Sequence, residues 1–336
     1  MNEIILLTAG NIHISDTNPR SRTDNFKNTI LEKIEQLRAA AKKLRADAVL
    51  LTGDIYNLKN PVKNSHDLNR ELIEIFKKFE CPVYTIPGNH DLTADDLDTL
   101  SAQPISVLFS SGILKDLSKH SFDTDSGICI EKNGLKVSLV GVPYLKHFEI
   151  KKLKLHTKDI DCAVQICIMH IYAGPKAGKM HKERLYGYDE LSALSPDIFV
   201  LGHYHYDQGI QWLDKKCFIN LGSISRGTLT DERIEHAPKF GYIKVSREDK
   251  QSEVKIDVDS IPLRIKPAND VFDLKKRADE EKQGEDIEKY VAHLVAEASS
   301  KETKMTVEDQ MKKLSIEKEI QDTVLELIKE ARANRK

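Results

Sequence analysis

Short apolar runs alternate with amphipathic stretches through the first part of the chain. Runs at residues 4–7, 48–52 and 83–86 have the length and β-branched content of buried strands. Between them, two stretches repeat apolar residues every three or four positions, which predicts helices with these buried faces: Phe26, Ile30, Ile34, Leu37, Ala41 and Leu44, then Leu68, Leu72, Ile75 and Phe79. Asp24 precedes the first helix and is a candidate cap. This βαβαβ order predicts a largely parallel sheet.

Further strand-like runs continue to about residue 258. They occupy residues 137–140, 163–169, 198–201, 217–219, 242–245 and 253–258. We expect them to complete a layered α/β structure. From about residue 266, glycine nearly disappears, and Lys, Glu, Asp and Gln dominate. The pattern therefore predicts a sheet-forming domain over residues 1–265 and a small helical region over residues 266–336.

Composition and charge narrow the class of protein. The 336 residues include 51 Lys plus Arg and 53 Asp plus Glu, with a formal net charge of −2. This balance excludes a polycation that grips nucleic acid with its whole surface. The first residues contain no basic leader, so we expect a cytoplasmic protein without a signal peptide. The cysteines lack CxxC spacing and are predicted to be reduced core residues: Cys81, Cys129, Cys162, Cys167 and Cys217.

Five of the apolar runs are followed by residue types that bind metals or phosphates. They are Asn11 and His13, then Asp54, then Asn89, His90 and Asp91, then His170, and finally His203 and His205. Parallel strands end at one edge of a sheet, and open α/β sheets form their sites there. The five strand ends are therefore predicted to converge on one crevice.

The potential ligands among these residues form a mixed nitrogen and oxygen set. Four imidazoles, one carboxylate and one amide oxygen suit Mn, Fe or Zn, and soft thiolates are absent from the set. Six or seven ligands are too many for one tetrahedral ion, but they suit two ions that share a bridging carboxylate. Gly53, Gly88 and Gly202 adjoin these positions and would permit sharp turns and close backbone approach.

The ordered motifs resemble those of the calcineurin-like metallophosphoesterases over roughly residues 4–265. The chain has DxH with Asn11 in the place of Asp, then GD, GNHD, H and GHxH. The resemblance implies a layered β-sandwich with flanking helices. The segments DTNPRSRTDNF and NLGSISRGT resemble the SbcD branch, which includes bacterial and phage exonucleases of DNA repair and recombination.

The resemblance also implies roles for the site residues. One metal would be surrounded by Asn11, His13, Asp54 and His205. The other would be surrounded by Asp54, Asn89, His170 and His203, with Asp54 bridging the two. Mn²⁺ is the expected ion, with Mg²⁺ and Fe²⁺ as alternatives. His90 would be a non-ligand histidine that donates to the leaving oxygen. Asp91 would either help to orient His90 or cap a turn, and both roles stay open.

The implied activity is metal-dependent cleavage of DNA as an exonuclease and endonuclease in double-strand-break processing or recombination. The implied partners are DNA, a second copy of the chain and an SbcC-like coiled-coil ATPase. An apolar seam in the tail is the candidate surface for the ATPase, although packing within the tail is an equal alternative: Ile316, Ile320, Val324 and Leu327. Arg20, Arg22, Lys176 and Lys179 lie in two predicted loops and are candidates for contacts with the DNA backbone, with solvated loop side chains as the alternative.

Asn11 is the departure from the family pattern. An amide keeps a neutral oxygen but removes a full negative charge from a dication site, so metal affinity should fall. An engineered substitution, a natural change of metal preference and a natural loss of activity are competing explanations. We favour a nuclease site with one weakened position. A small-molecule phosphodiesterase or phosphatase of the same fold is an alternative, as is a catalytically silent DNA-binding scaffold.

Overall fold

The computed structural model describes residues 2–19, 22–120, 128–153, 155, 162–180, 183–227, 236–249 and 251–274. Nearly all of them belong to one compact unit, Met1–Phe272. Arg20 and the tail seam of Ile316, Ile320, Val324 and Leu327 lie outside the described residues, as does most of the predicted helical region. The domain boundary near residue 265 therefore stays a prediction. In the described part of the chain, no helix is long and apolar enough to cross a membrane.

The described residues form fifteen strands and five α-helices. The strands are β1 (Asn2–Ala9), β2 (Ala48–Leu51), β3 (Val83–Thr85), β4 (Lys115–Asp116), β5 (Ile128–Lys132), β6 (Leu135–Val142), β7 (Val164–Ile171), β8 (Ala173–Gly174), β9 (Gly178–Met180), β10 (Glu183–Gly187), β11 (Ile198–His203), β12 (Asp207–Leu213), β13 (Lys216–Leu221), β14 (Lys239–Arg247) and β15 (Lys255–Pro262). The helices are α1 (Phe26–Leu44), α2 (His66–Phe76), α3 (Pro104–Ser110), α4 (Tyr188–Leu191) and α5 (Ala268–Val271).

Two six-stranded sheets dominate the fold. Their strand orders are β15-β14-β1-β2-β3-β4 and β12-β13-β11-β7-β6-β5. The predicted parallel pairing is confirmed within each sheet, for β1 through β4 and for β6, β7, β11 and β13. The remaining strands of each sheet pair antiparallel at its margins. A third, small sheet has the order β8-β10-β9.

Apolar side chains hold the two large sheets face to face. Leu6 and Leu50 of the first sheet belong to the same buried cluster as Ile166 and Val200 of the second. A second cluster joins the outer face of the first sheet to α1, α2 and α3, and a third covers the second sheet with residues of β10 and α4. Each fully buried aliphatic side chain contributes roughly 1.5–3 kcal/mol. The predicted layered sandwich with flanking helices is confirmed for the described residues.

Several local predictions need correction. Asn25, not Asp24, caps α1, since its side chain accepts the backbone N–H of Asn28 at 2.9 Å. The second helix ends at Phe76, so Phe79 lies beyond it, although it still packs against the core. Each of the five cysteines, all within the described residues, is a thiol rather than half of a disulfide, but Cys129 is exposed and Cys81 is only half-buried. The prediction of buried cysteines therefore holds for the other three.

Candidate metal centre

The predicted ligands lie at or just beyond the carboxyl ends of neighbouring parallel strands. β1, β2 and β3 adjoin in one sheet, and β7 and β11 adjoin in the other. The loops after β1 and β2 run side by side, because the His13 N–H donates to the Asp54 carbonyl at 2.9 Å. Asn11, His13, Asp54 and His203 have φ values of 45°, 49°, 51° and 75°. Such left-handed backbone is unfavourable for residues other than glycine, and it is typical of functional sites.

One cluster of donor atoms forms around His13. Donor atoms of His13, Asp54 and His90 all lie within 4.8 Å of one another. His13 Nε2 is 3.5 Å from Asp54 Oδ2 and 2.9 Å from His205 Nε2. His90 was predicted as a non-ligand, yet it belongs to this cluster. Its backbone N–H donates to Asp54 Oδ1 at 2.7 Å, and its Nδ1 donates to the Asn57 carbonyl at 2.7 Å. These two bonds fix the position and orientation of the His90 ring.

A second cluster shares Asp54 with the first. Donor atoms of Asp54, His170 and His203 lie within 4.8 Å of one another. His170 Nδ1 is 2.6 Å from the Thr52 carbonyl, so it carries the proton in the neutral ring. Its Nε2 then presents a lone pair, which faces Asp54 Oδ2 at 3.3 Å and Asn89 Oδ1 at 3.2 Å. Electron-pair donors of three side chains thus converge on one point.

Burial and mutual charge set the protonation of these groups. Burial raises the pKa of Asp54, but its attraction to the imidazole of His170, and then to that of His13, outweighs burial and holds this pKa well below its usual range. Burial is also the main reason that the pKa of His13 lies well below its usual value. Asp54 is therefore an anion and His13 is neutral near pH 7. Both are in the forms that coordinate metals.

The residues fit a pair of divalent cations. Asp54 Oδ2 is completely buried and accepts no hydrogen bond from the described residues, although two imidazoles face it. An anionic oxygen in this position is costly unless a cation compensates it. The predicted sets around Asp54 would hold the ions, which would supply Lewis acidity to a phosphoester. Nitrogen and oxygen donors alone do not determine which metal binds.

Asn11 contacts the second cluster through the backbone of His203. Its Oδ1 accepts the N–H of His203 at 3.1 Å, and its own carbonyl accepts the hydroxyl of Ser223 at 2.8 Å. Nδ2 is buried and has no hydrogen-bond partner within the described part of the chain. An amide N–H₂ is thus left unsatisfied at a position where the family pattern has a carboxylate oxygen.

Asp91 has the turn-capping role that the sequence left open. Its carboxylate accepts backbone N–H groups of Gly88, Ile55 and Tyr56 at 3.0, 3.2 and 3.0 Å. It therefore ties the loop after β2 to the loop after β3. Burial, and then the charge of Asp54, raise the pKa of Asp91 to about 7. An orienting role toward His90 stays a prediction.

Two glycines bring the backbone close to the ligands. A Cβ atom at Gly88 would lie 2.2 Å from Asp54 Oδ1, and one at Gly53 would lie 2.8 Å from His170 Nδ1. Gly53 also has a φ of 87°. The expected close approach is confirmed, because a side chain at either position would displace a predicted ligand.

Glu183 of β10 is a site residue that the sequence analysis missed. Its Oε2 lies 3.2 Å from Nε2 of His203. Histidine ligands commonly bind a carboxylate through the second ring nitrogen, which fixes their orientation. A single acid within a lysine-rich and arginine-rich stretch was the available signal, but only the folded chain brings it to His203.

The residues predicted to contact DNA lie in different environments. The prediction that Arg22 contacts DNA at the surface is wrong, because Arg22 is only 6% exposed. Its guanidinium donates to both oxygens of Asp24 at 2.8 and 2.7 Å and to the Arg226 carbonyl at 3.0 Å. Lys176 and Lys179 are exposed. Lys179 lies in β9 of the small sheet rather than in a loop.

One comparison with known proteins identifies a family. A family model described as calcineurin-like phosphoesterase matches residues 12–207, more than half of the chain. No curated protein matches. Among solved structures, TT1561 of Thermus thermophilus is 13% identical, with 78% of this chain and 99% of that chain covered and a TM-score of 0.42. The calcineurin-like phosphoesterase YfkN from Bacillus subtilis is 13% identical, with 77% and 91% covered and a TM-score of 0.39. A dimetal phosphatase from Danio rerio is 11% identical, with 78% and 99% covered and a TM-score of 0.43.

The match of the family model agrees with the order of the motifs, the two packed sheets and the two donor clusters that share Asp54. The chain therefore belongs to the calcineurin-like phosphoesterase family, and its site is that of a metal-dependent hydrolase acting on phosphoesters.

Proposed function

We propose that the chain is a metal-dependent DNA nuclease that cleaves phosphodiester bonds in double-strand-break processing or recombination. It acts in the cytoplasm of a bacterial or phage-infected cell, with Mn²⁺ as the working ion. The two SbcD-like segments support this function, because they meet beside the metal centre. Ser223 in one segment binds the Asn11 carbonyl, and Arg22 in the other binds the Arg226 carbonyl.

A pair of cavities beside the metal centre is the observation that favours a polymeric substrate. One cavity of about 400 Å³ reaches His170, and another of about 530 Å³ is lined by residues 94–97. Residues 144–147 line both cavities, so the two adjoin. A small-molecule phosphodiesterase would be expected to close its pocket around the ester. Two adjoining cavities instead leave room for a strand that continues past the scissile phosphate.

His90 is the residue best placed to serve the leaving group. Its ring is half-buried in the first cluster, and its Nδ1 is held by the Asn57 carbonyl. Nε2 is the ring nitrogen left to face a substrate, and in the protonated ring it would donate a hydrogen bond or a proton to the leaving oxygen. The divalent ions would polarise the phosphodiester and neutralise its charge.

A side-by-side assay tests the proposed function. The full-length protein is incubated with linear duplex DNA and with bis-p-nitrophenyl phosphate, in MnCl₂ or in EDTA. We expect Mn-dependent hydrolysis of both substrates. Hydrolysis of the small ester alone would contradict the nuclease function in favour of a small-molecule phosphodiesterase. Activity on neither substrate would favour the silent DNA-binding scaffold.

Two histidine variants refine that assay. His90→Asn should lower DNA cleavage by roughly 100-fold, in line with the usual contribution of general acid–base groups. His66→Asn changes an exposed histidine at the start of α2 and serves as the matched control, with full activity expected. Equal activity of the two variants would contradict the role given to His90.

We also propose that an SbcC-like coiled-coil ATPase is a partner of the chain. The chain would bind it through the apolar seam of Ile316, Ile320, Val324 and Leu327, and it would act as a homodimer. Ile320→Glu in the full-length chain should abolish co-purification with the ATPase, while Gln321→Glu should not. Hydrolysis of bis-p-nitrophenyl phosphate should persist in both variants. Retained binding of Ile320→Glu would contradict the docking proposal, and sedimentation of the chain alone at monomer mass would contradict the homodimer.

A further inference from the structure

A cavity adjoins the second donor cluster. It has a volume of about 400 Å³ and lies between residues 144–149 and strand β10. His170 is one of its lining residues, so the cavity lies beside the place where a scissile phosphate would bind. Its volume is in the range of natural small-molecule sites, roughly 300–1,000 Å³. It is therefore large enough for one flat, ring-shaped group next to that phosphate.

Aromatic side chains form much of the cavity wall. Tyr144, Phe148, Tyr172 and Tyr186 all line it. The Phe148 and Tyr186 rings meet edge to face at 5.1 Å, and the Tyr186 hydroxyl donates to the Phe148 carbonyl at 2.6 Å. Tyr172 packs 3.9 Å from the His203 ring. These contacts hold the rings in place, so little side-chain freedom would be lost when a ligand stacks on them.

The charges around the cavity favour an uncharged ligand. Lys146 and Arg184 line it together with Glu149 and Glu183, so two cations are matched by two anions. Arg184 also pairs with Glu190. A phosphate group would find no net positive charge there, whereas the metal centre next to His170 supplies it. Aromatic walls with balanced polar groups instead suit a nucleobase, which offers a π-face and hydrogen-bonding edges.

We propose that this cavity binds one unpaired nucleobase of the strand whose phosphate lies at the metal centre. The inference rests on the proposed nuclease function and specifies its substrate. A base in a duplex is stacked and paired, so it must leave the helix to enter the cavity. The protein therefore prefers single strands and frayed ends to fully paired DNA. Tyr172 is the main stacking side chain, because it is half-buried and lies between the cavity and His203.

A change in the substrate tests the inference without changing the protein. Short strands with phosphorothioate linkages, which slow cleavage, carry either a normal base or an abasic sugar beside the scissile position. We expect the full-length protein with Mn²⁺ to bind the abasic strand about tenfold more weakly, as for loss of one stacked base. A 2-aminopurine at the same position should lose fluorescence on binding. Equal affinity for the two strands, or unchanged fluorescence, would overturn the inference.

Two variants test whether the base stacks on Tyr172. Tyr172→Leu should bind the normal strand about tenfold more weakly and no longer distinguish it from the abasic strand. Tyr172→Phe keeps the ring and should behave as the wild type. Mn²⁺ binding is measured in parallel, because Tyr172 packs against His203, and unchanged Mn²⁺ binding assigns the loss to the base. Continued discrimination by Tyr172→Leu would overturn the assignment.

The assay separates the two levels of the proposal. DNA cleavage that ignores the abasic sugar would refute the base site and leave the nuclease function intact. Hydrolysis of bis-p-nitrophenyl phosphate without cleavage of any DNA would refute the nuclease function, and the base site with it.

Discussion

Replacing Asn11 with aspartate changes one polar atom at the metal centre. Asn11 is 1% exposed, and its Oδ1 accepts the N–H of His203 at 3.1 Å. Its Nδ2 has no partner among the residues described. Aspartate retains the oxygen that accepts this bond and exchanges the unpaired N–H₂ for an anionic oxygen. The variant therefore adds a buried negative charge without removing a hydrogen bond.

The effect on stability should depend on metal. Without metal, a buried carboxylate that lacks a cation destabilises the fold, and we expect the free energy of unfolding to fall by roughly 3 kcal/mol. With divalent ions, the same charge becomes favourable. We expect Mn²⁺ to bind about 100-fold more tightly, which is equivalent to about 2.7 kcal/mol. Saturating Mn²⁺ should thus restore most of the stability lost in EDTA, since ligand binding to the native state adds to its stability.

Urea unfolding in EDTA and in millimolar MnCl₂ measures both effects, and electron paramagnetic resonance counts the bound Mn²⁺. Asn220→Asp is a matched control. Asn220 is also 1% exposed, its Oδ1 accepts a backbone N–H, from Gly222 at 3.0 Å, and its Nδ2 also has no described partner. It is not a predicted ligand, so this variant should lose stability without rescue by Mn²⁺.

The refuting result for Asn11→Asp is specific. Unchanged Mn²⁺ binding, together with no gain in Mn-dependent phosphoester hydrolysis, would show that position 11 is not a weakened ligand. Equal rescue of Asn11→Asp and Asn220→Asp by Mn²⁺ would show that the metal acts on stability in general rather than on this site.

Three further predictions follow from side-chain contacts. Gly88→Ala places a Cβ atom 2.2 Å from Asp54 Oδ1, so phosphoester hydrolysis should be lost. Gly178→Ala is the control and should keep the activity, because the atom nearest to its Cβ would be 3.7 Å away. Glu183→Gln removes the charge that contacts a ligand histidine, so calorimetry should show metal affinity reduced about tenfold. Burial lowers the pKa of Lys33 to about 7. Above that pH the folded state releases a proton that the unfolded state retains, so stability should rise with pH, by about 2.3 kcal/mol between about pH 7 and 9. Urea unfolding of Lys33→Met should show no such rise.

The convergence of the site could be predicted because it depends on short-range patterns. Each ligand group directly follows an apolar run, and parallel strands bring their carboxyl ends to one edge. The geometry around Asp54 follows from this rule. The sequence did not reveal that His90 lies within the first cluster, because that depends on how the turn Asn89–Asp91 is held by Asp54 and Asn57.

Other features depend on contacts between distant residues. Arg22 looked like a loop cation, but the fold buries it against Asp24 and the carbonyl of Arg226. Strands β8, β9 and β10 have only two to five residues each, so their pattern carries little periodicity. Glu183 reaches His203 only because β10 pairs with these short strands. A pattern of apolar positions contains no information about such contacts.

The strained backbone connects the fold to the chemistry. Four predicted ligand residues have left-handed φ values, and each such residue costs on the order of 1 kcal/mol or more. The fold must offset this cost elsewhere, and the three buried apolar clusters around the paired sheets are large enough to do so. The donors consequently point at one another, as the 2.9 Å separation of the His13 and His205 nitrogens illustrates. A site whose donors are already in place loses little conformational entropy on binding, so the binding energy of the ions and the substrate remains available for hydrolysis.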